Sequence, residues 1–117
     1  MKIIQAINSM IENQSKITNV IQTKEEMFFV YNDKYKWSIS ESPNEQNEIF
    51  LHLYPDKNMS IEELSQVQDW QAHNFVTYKV SDFKTQEAFE TFNELYQIVK
   101  SKIYGVDDLL DEIISGF

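Results

Sequence analysis

The segment MFFVYNDKYKWSIS, residues 27–40, constrains the fold most tightly. Two runs rich in aromatic and β-branched residues flank Asn32-Asp33, and both of those residues tolerate positive φ, so the spacing predicts a tight hairpin. With a two-residue loop, Tyr31 stands opposite Lys34, Val30 opposite Tyr35 and Phe28 opposite Trp37. One face then collects Phe28, Val30, Tyr35, Trp37 and Ile39 and reads as core. The other sets Met27, Phe29 and Tyr31 against Lys34, Lys36 and Ser38, which calls either for a covering helix or for a role as an aromatic surface patch. A third strand, IFLHLY at 49–54, is apolar on both sides: Ile49, Leu51 and Leu53 face one way, Phe50, His52 and Tyr54 the other. Such a strand belongs in the middle of a sheet with cover on each face. ITNVIQ at 17–22 and NFVTYKV at 74–80 supply two more strands.

The helical signals lie around these strands. Ile3, Ile4, Ile7, Met10 and Ile11 form one stripe and predict a helix over 2–14. Ser60 and Glu63 have capping-box spacing, with Met59 and Leu64 placed as a hydrophobic staple, and start a short helix that runs to about 69. Ala88, Phe89, Phe92, Leu95, Tyr96, Val99 and Ile103 predict a long helix over 86–104, closed by Gly105 as a left-handed cap. Asp107 is placed to cap a last helix carrying Leu109, Leu110, Ile113 and Ile114. The order is helix, four strands, helix, strand, two helices. This predicts an α+β fold: an N-terminal helix, an antiparallel sheet of about five strands, and C-terminal helices packed mainly on one face. The helix between the fourth and fifth strands reads as a crossover. ESPNEQNE at 41–48 reads as an exposed loop. Residues 1–117 read as a single globular domain, and an apolar fraction of 42% suffices for a core.

Charge and residue usage exclude several classes of function. The net charge is −9, distributed unevenly: residues 1–59 hold six Lys against eight acids, a balance of −2, and residues 60–117 hold four Lys against eleven acids, a balance of −7. Every basic residue is Lys. A net-negative chain without Arg is a poor ligand for nucleic acid, since counterion release needs clustered cations and bidentate base contacts favour Arg. The absence of Cys removes disulfides, thiolate catalysis and Cys-based zinc sites. No apolar stretch reaches the ~20 residues that span a bilayer, and MKIIQAINSMIENQ lacks the pattern of a signal peptide, so a cytoplasmic location without membrane binding is expected.

No motif assigns a chemistry. The two glycines, Gly105 and Gly116, stand too far apart for a phosphate loop. His52 lies mid-strand and His73 near a strand start, neither with a spaced partner. Glu25/Glu26, Glu62/Glu63 and Asp107/Asp108 are adjacent in sequence and therefore point to different faces, unlike the facing pair of an acid/base site. No catalytic, metal-binding or cofactor-binding residue is assigned, and a non-enzymatic role is expected. In size, acidity and element order the chain is similar to small bacterial secretion chaperones and to immunity or inhibitor proteins, a similarity of composition that carries over no residue.

The residues that remain read either as core or as contacts with another macromolecule: large sheet aromatics are covered by a helix or form a platform, and the C-terminal helix folds back to complete the core or enters a partner's groove. These residues are Phe29, Tyr31, Phe50 and Tyr54 on the sheet, and Leu109, Leu110, Ile113, Ile114 and Phe117 in the acidic C-terminal segment. The expectation is a protein–protein interaction module of adaptor, chaperone or inhibitor type, with a basic protein partner or a second copy in a homodimer. Two other readings fit the same residues. The acids are suited to imitating nucleic acid and blocking a basic site on a partner, and Trp37, His52 and Tyr54 are suited to flanking a small-ligand pocket.

Overall fold

A computed structural model describes residues 1–45 and 47–116. Its elements are α1 (Lys2–Glu12), β1 (Ile17–Gln22), β2 (Met27–Tyr31), β3 (Tyr35–Glu41), β4 (Ile49–Tyr54), α2 (Ile61–Ser65), β5 (Val76–Lys79), α3 (Gln86–Ile103) and α4 (Val106–Ile114). The strands form one antiparallel sheet whose spatial order follows the sequence, β1 to β5. The α+β architecture expected from the sequence is therefore present, with its N-terminal helix, five strands and C-terminal helices. The segment holding α2 is not a crossover. It leaves β4, covers one face of the sheet and returns as the antiparallel neighbour β5, a pairing that needs no change of side.

The hairpin between β2 and β3 differs from the sequence expectation by one residue. Asn32 and Asp33 do turn the chain, with φ of 56° and 57°, and the Lys34 N–H donates to the Tyr31 carbonyl at 3.2 Å. Yet Tyr31 pairs with Tyr35, Val30 with Lys36 and Phe29 with Trp37, which leaves Lys34 in the loop. A slip of one residue exchanges the faces of a strand. Met27, Phe29, Tyr31, Tyr35, Trp37 and Ile39 consequently share one side, and Phe28 and Val30 share the other with Lys36 and Ser38. The two-residue loop would have set Phe29 and Tyr31 among lysines. The observed register gathers six apolar or aromatic side chains on one face, and burial decides between the two.

Two helices cover that first face. α1 buries Ile4, Ile7 and Met10, α3 buries Ala88, Thr91, Phe92, Leu95 and Val99, and the two helices lie against each other. Together with Met27, Phe29, Trp37, Ile39, Ile49 and Leu51 they form the main core. Thr85 starts α3 by accepting from the Ala88 N–H at 3.1 Å. Glu87 in its first turn and Lys100 and Lys102 in its last complement the helix dipole.

The second face carries a smaller cluster of Phe28, Val30, Tyr54, Ile61 and Leu64. α2 is held there by both bonds of its capping box, Glu63 N–H to Ser60 Oγ at 3.1 Å and Ser60 N–H to Glu63 Oε1 at 3.0 Å. It ends at Ser65, before the expected 69. Asp69 Oδ1 then accepts from the Gln71 N–H at 3.0 Å, and a 3₁₀ turn, Trp70–Ala72, brings Trp70 over Phe28 and Tyr54.

Gly105, at φ 62°, ends α3 and begins α4. Asp107 does not cap α4 as expected but lies within its first turn, because the chain reverses at Gly105 itself, in a conformation that costs other residues about 1–2 kcal/mol. No helix among the described residues is long and apolar enough to cross a membrane.

Phe92 is fully buried between α1, α3 and the sheet. Phe92→Ala should lower the unfolding free energy by about 3–5 kcal/mol, read as a shifted midpoint in urea denaturation. A loss below about 1 kcal/mol would mean that α3 is not part of the main core.

Candidate functional site

The sequence-selected residues fall in three places, and the four sheet aromatics do not make one platform. Phe29 and Tyr31 point to the α1/α3 side, while Phe50 and Tyr54 point to the α2 side. Phe29 is wholly buried in the main core and offers no contact surface, which corrects the expectation for it. Its burial follows from the hairpin register, which places it beneath the helices. Tyr54 is also buried, stacked on Phe28 with ring centroids 5.8 Å apart and beneath Trp70 at 5.3 Å. Tyr31 is half-buried, its hydroxyl 3.4 Å from the Ser9 carbonyl. Phe50 is half-buried. Phe117 lies outside the described residues.

Covering the α2 side of the sheet encloses a short polar chain. Ser38, fully buried, donates its only hydroxyl proton to Glu26 Oε2 at 2.7 Å and so accepts from the Tyr54 hydroxyl at 2.8 Å. Burial raises the Glu26 carboxyl above its ordinary value of 4.5. The bond from Ser38 opposes that shift, and the neighbouring Glu25 charge adds to it. Burial likewise raises the Tyr54 phenol, against the bond to Ser38 and with the Glu26 charge. The three groups satisfy one another's hydrogen-bonding needs.

His52 belongs to the same face. Its Nδ1 lies 2.9 Å from Thr77 Oγ1, Phe75 meets its ring edge-on at 5.6 Å, and burial lowers its pKa below 6.5. Trp37 faces the opposite side of the sheet, so Trp37, His52 and Tyr54 do not enclose a common pocket. Among the described residues, no three His, Asp or Glu side chains come together to hold a metal ion. Trp70 and Phe75, which complete the aromatic stack around Tyr54, were missed in the sequence, although Asp69 before Trp70 is a readable turn signal.

The remaining place is α4. At 100° per residue, Val106, Leu109, Leu110, Ile113 and Ile114 share one side, and Asp107, Asp108, Asp111 and Glu112 share the other. None of its residues is buried. Leu109 is 53% exposed, Leu110 50%, Ile113 70% and Ile114 82%. The helix touches the rest of the chain chiefly through α3.

A groove of about 400 Å³ opens on the main-core side, between α1 and strands β2–β5 of the sheet. Its walls are Lys2, Ile3, Ala6, Ser9 and Met10 from α1, and Tyr31, Tyr35, Trp37, Leu53 and Tyr78 from the sheet. Lys2 is the only charged residue among them. The Trp37 indole N–H is buried without a hydrogen-bond partner.

No family model matches this chain, nor does any curated protein or solved structure.

The polar chain generates a pH dependence. Because the folded state raises the Glu26 pKa, it binds that proton more tightly than the unfolded chain, and stability rises as pH falls from the raised value towards 4.5. His52 acts in the opposite sense, its lowered pKa making stability fall as pH drops below 6.5. Glu26→Gln should therefore be more stable than wild type at neutral pH, with the difference shrinking towards pH 4.5, as followed by urea midpoints across that interval. A constant difference would show that Glu26 titrates alike in both states. Ser38→Ala should cost about 1–3 kcal/mol, since it leaves Glu26 and Tyr54 without their shared partner.

Proposed function

We propose that this protein is a non-enzymatic protein–protein interaction module that docks α4 into an apolar groove edged by basic residues. The exposure of α4 carries this reading: four large aliphatic side chains on one stripe of one helix, each half or more open to water, with no residue of the helix buried. Contiguous apolar surface of this kind on a small protein marks an interaction site. Val106, Leu109, Leu110 and Ile113 stand at the i, i+3, i+4, i+7 spacing of the anchors by which an amphipathic helix enters a groove, and Ile114 widens the same stripe.

The charges define the partner. α4 has four carboxylates and no cation, so a groove rimmed by Lys or Arg gains electrostatically, while an acidic rim is repelled. Adaptors, chaperones and inhibitors all work by contacts of this kind. Imitation of nucleic acid would use the same four carboxylates but leaves the apolar stripe without a role, and docking accounts for both.

The test separates binding from folding. Leu110→Asp combined with Ile113→Asp changes exposed positions and should leave stability within about 0.5 kcal/mol at each site, read by thermal melting. Tagged wild type and the double variant, introduced into the source cells and recovered after crosslinking, should differ by a captured protein present only with wild type. Equal capture by both would refute α4 as the docking element.

A further inference from the structure

The α1 groove and α4 are complementary surfaces of the same chain. The groove is apolar, with Ile3, Ala6, Met10, Trp37 and Leu53 among its walls, and α4 presents an apolar stripe none of whose residues is buried. The groove has one charged residue, Lys2, and no carboxylate; α4 has only carboxylates. Lys34 adds a second cation beside the groove, its Nζ 5.2 Å from the ring centroid of Tyr35. The chain does not fill the groove with its own helix: α4 lies against α3, and no residue of α3 or α4 lines the groove.

We infer that the groove receives α4 from a second copy of this chain, so that two copies exchange helices reciprocally. The inference rests on the reading of α4 as a docking helix and names one groove that it fits. The charge balance of the two halves supports this orientation. Two copies meeting through their C-terminal halves bring −7 against −7, whereas docking α4 at the groove brings the acidic half against a half of only −2. Two copies related by a two-fold axis exchange helices reciprocally, fill both grooves and close as a dimer. A volume near 400 Å³ is in the range of pockets that enclose a few side chains, so each contact is modest and the dimer depends on concentration.

The test is molar mass by light scattering and sedimentation over a wide dilution series of the full chain. Wild type should move from 13.9 kDa towards twice that value as concentration rises. Two double variants probe the two surfaces: Leu110→Asp with Ile113→Asp on the helix, and Lys2→Glu with Tyr35→Glu at the groove. All four positions are exposed, and matching circular dichroism and melting curves establish that the variants fold. Each variant alone should stay at 13.9 kDa. Their equimolar mixture should associate again, more weakly than wild type, because an intact α4 then meets an intact groove in one of the two contacts. Wild type that stays at 13.9 kDa throughout overturns the self-docking inference, whatever the crosslinking capture with α4 shows. Association that the groove variant retains overturns it as well, since α4 would then be seated elsewhere. Failure of the docking-helix reading itself has a different signature: the α4 variant captures the same proteins as wild type.

Discussion

Met27, Phe28, Phe29 and Val30 are four consecutive buried apolar residues of a single strand, and a strand sends consecutive side chains to opposite faces. Burying each such side chain is worth about 1.5–3 kcal/mol, so neither face of β2 can be left to water. The helices are arranged around this requirement. α1 and α3 cover Met27 and Phe29; α2 and Trp70 cover Phe28 and Val30. The chain between β4 and β5 does not need to change sides of the sheet, yet it passes over the second face because Phe28 and Val30 lie there. Glu26, Ser38 and Tyr54 are enclosed by the same cover, and they stay inside only because each meets another's hydrogen-bonding need.

Much of this was legible in the sequence because it depends on local spacing. The stripes of α1 and α3, the Ser60–Glu63 capping box, the turn at Asn32-Asp33 and Gly105 as a left-handed residue are each set by neighbours within a few positions. Two things were not. The hairpin register depends on whether Lys34 joins the ladder or the loop, and the turn residues permit both. Only the total apolar area gathered by Phe29, Tyr31, Tyr35, Trp37 and Ile39 separates them, and that sum becomes visible when the helices are in place. The hairpin register also decides where Phe29 lies. In the observed register Phe29 lies under α1 and α3, while Tyr54 is covered by the Trp70 indole independently of that register.

α4 shows a complementary limit. Its amphipathic pattern was plain in the sequence, but pattern alone does not distinguish a helix that completes its own core from one that leaves its apolar side open. The deciding fact is geometric. α3 ends at Gly105, and the reversal there carries α4 away from the main core, so that none of its side chains is buried. Trp70 was missed for the opposite reason. It sits in an irregular segment without periodicity, and its place over Tyr54 follows from the 3₁₀ turn after Asp69.

An open apolar helix is ordinarily a hazard, since it invites indiscriminate association. Its acidic side changes that balance. Asp107, Asp108, Asp111 and Glu112 keep the stripe solvated and repel negatively charged surfaces, and no cation on the helix offsets them. A helix of nine residues is also too short to be stable by propensity alone. Its order depends on the contact with α3, and docking as proposed would reinforce that order. In the proposed docking the aliphatic residues would supply the attraction and the carboxylates would restrict it to surfaces of the right charge, such as the Lys2 side of the α1 groove.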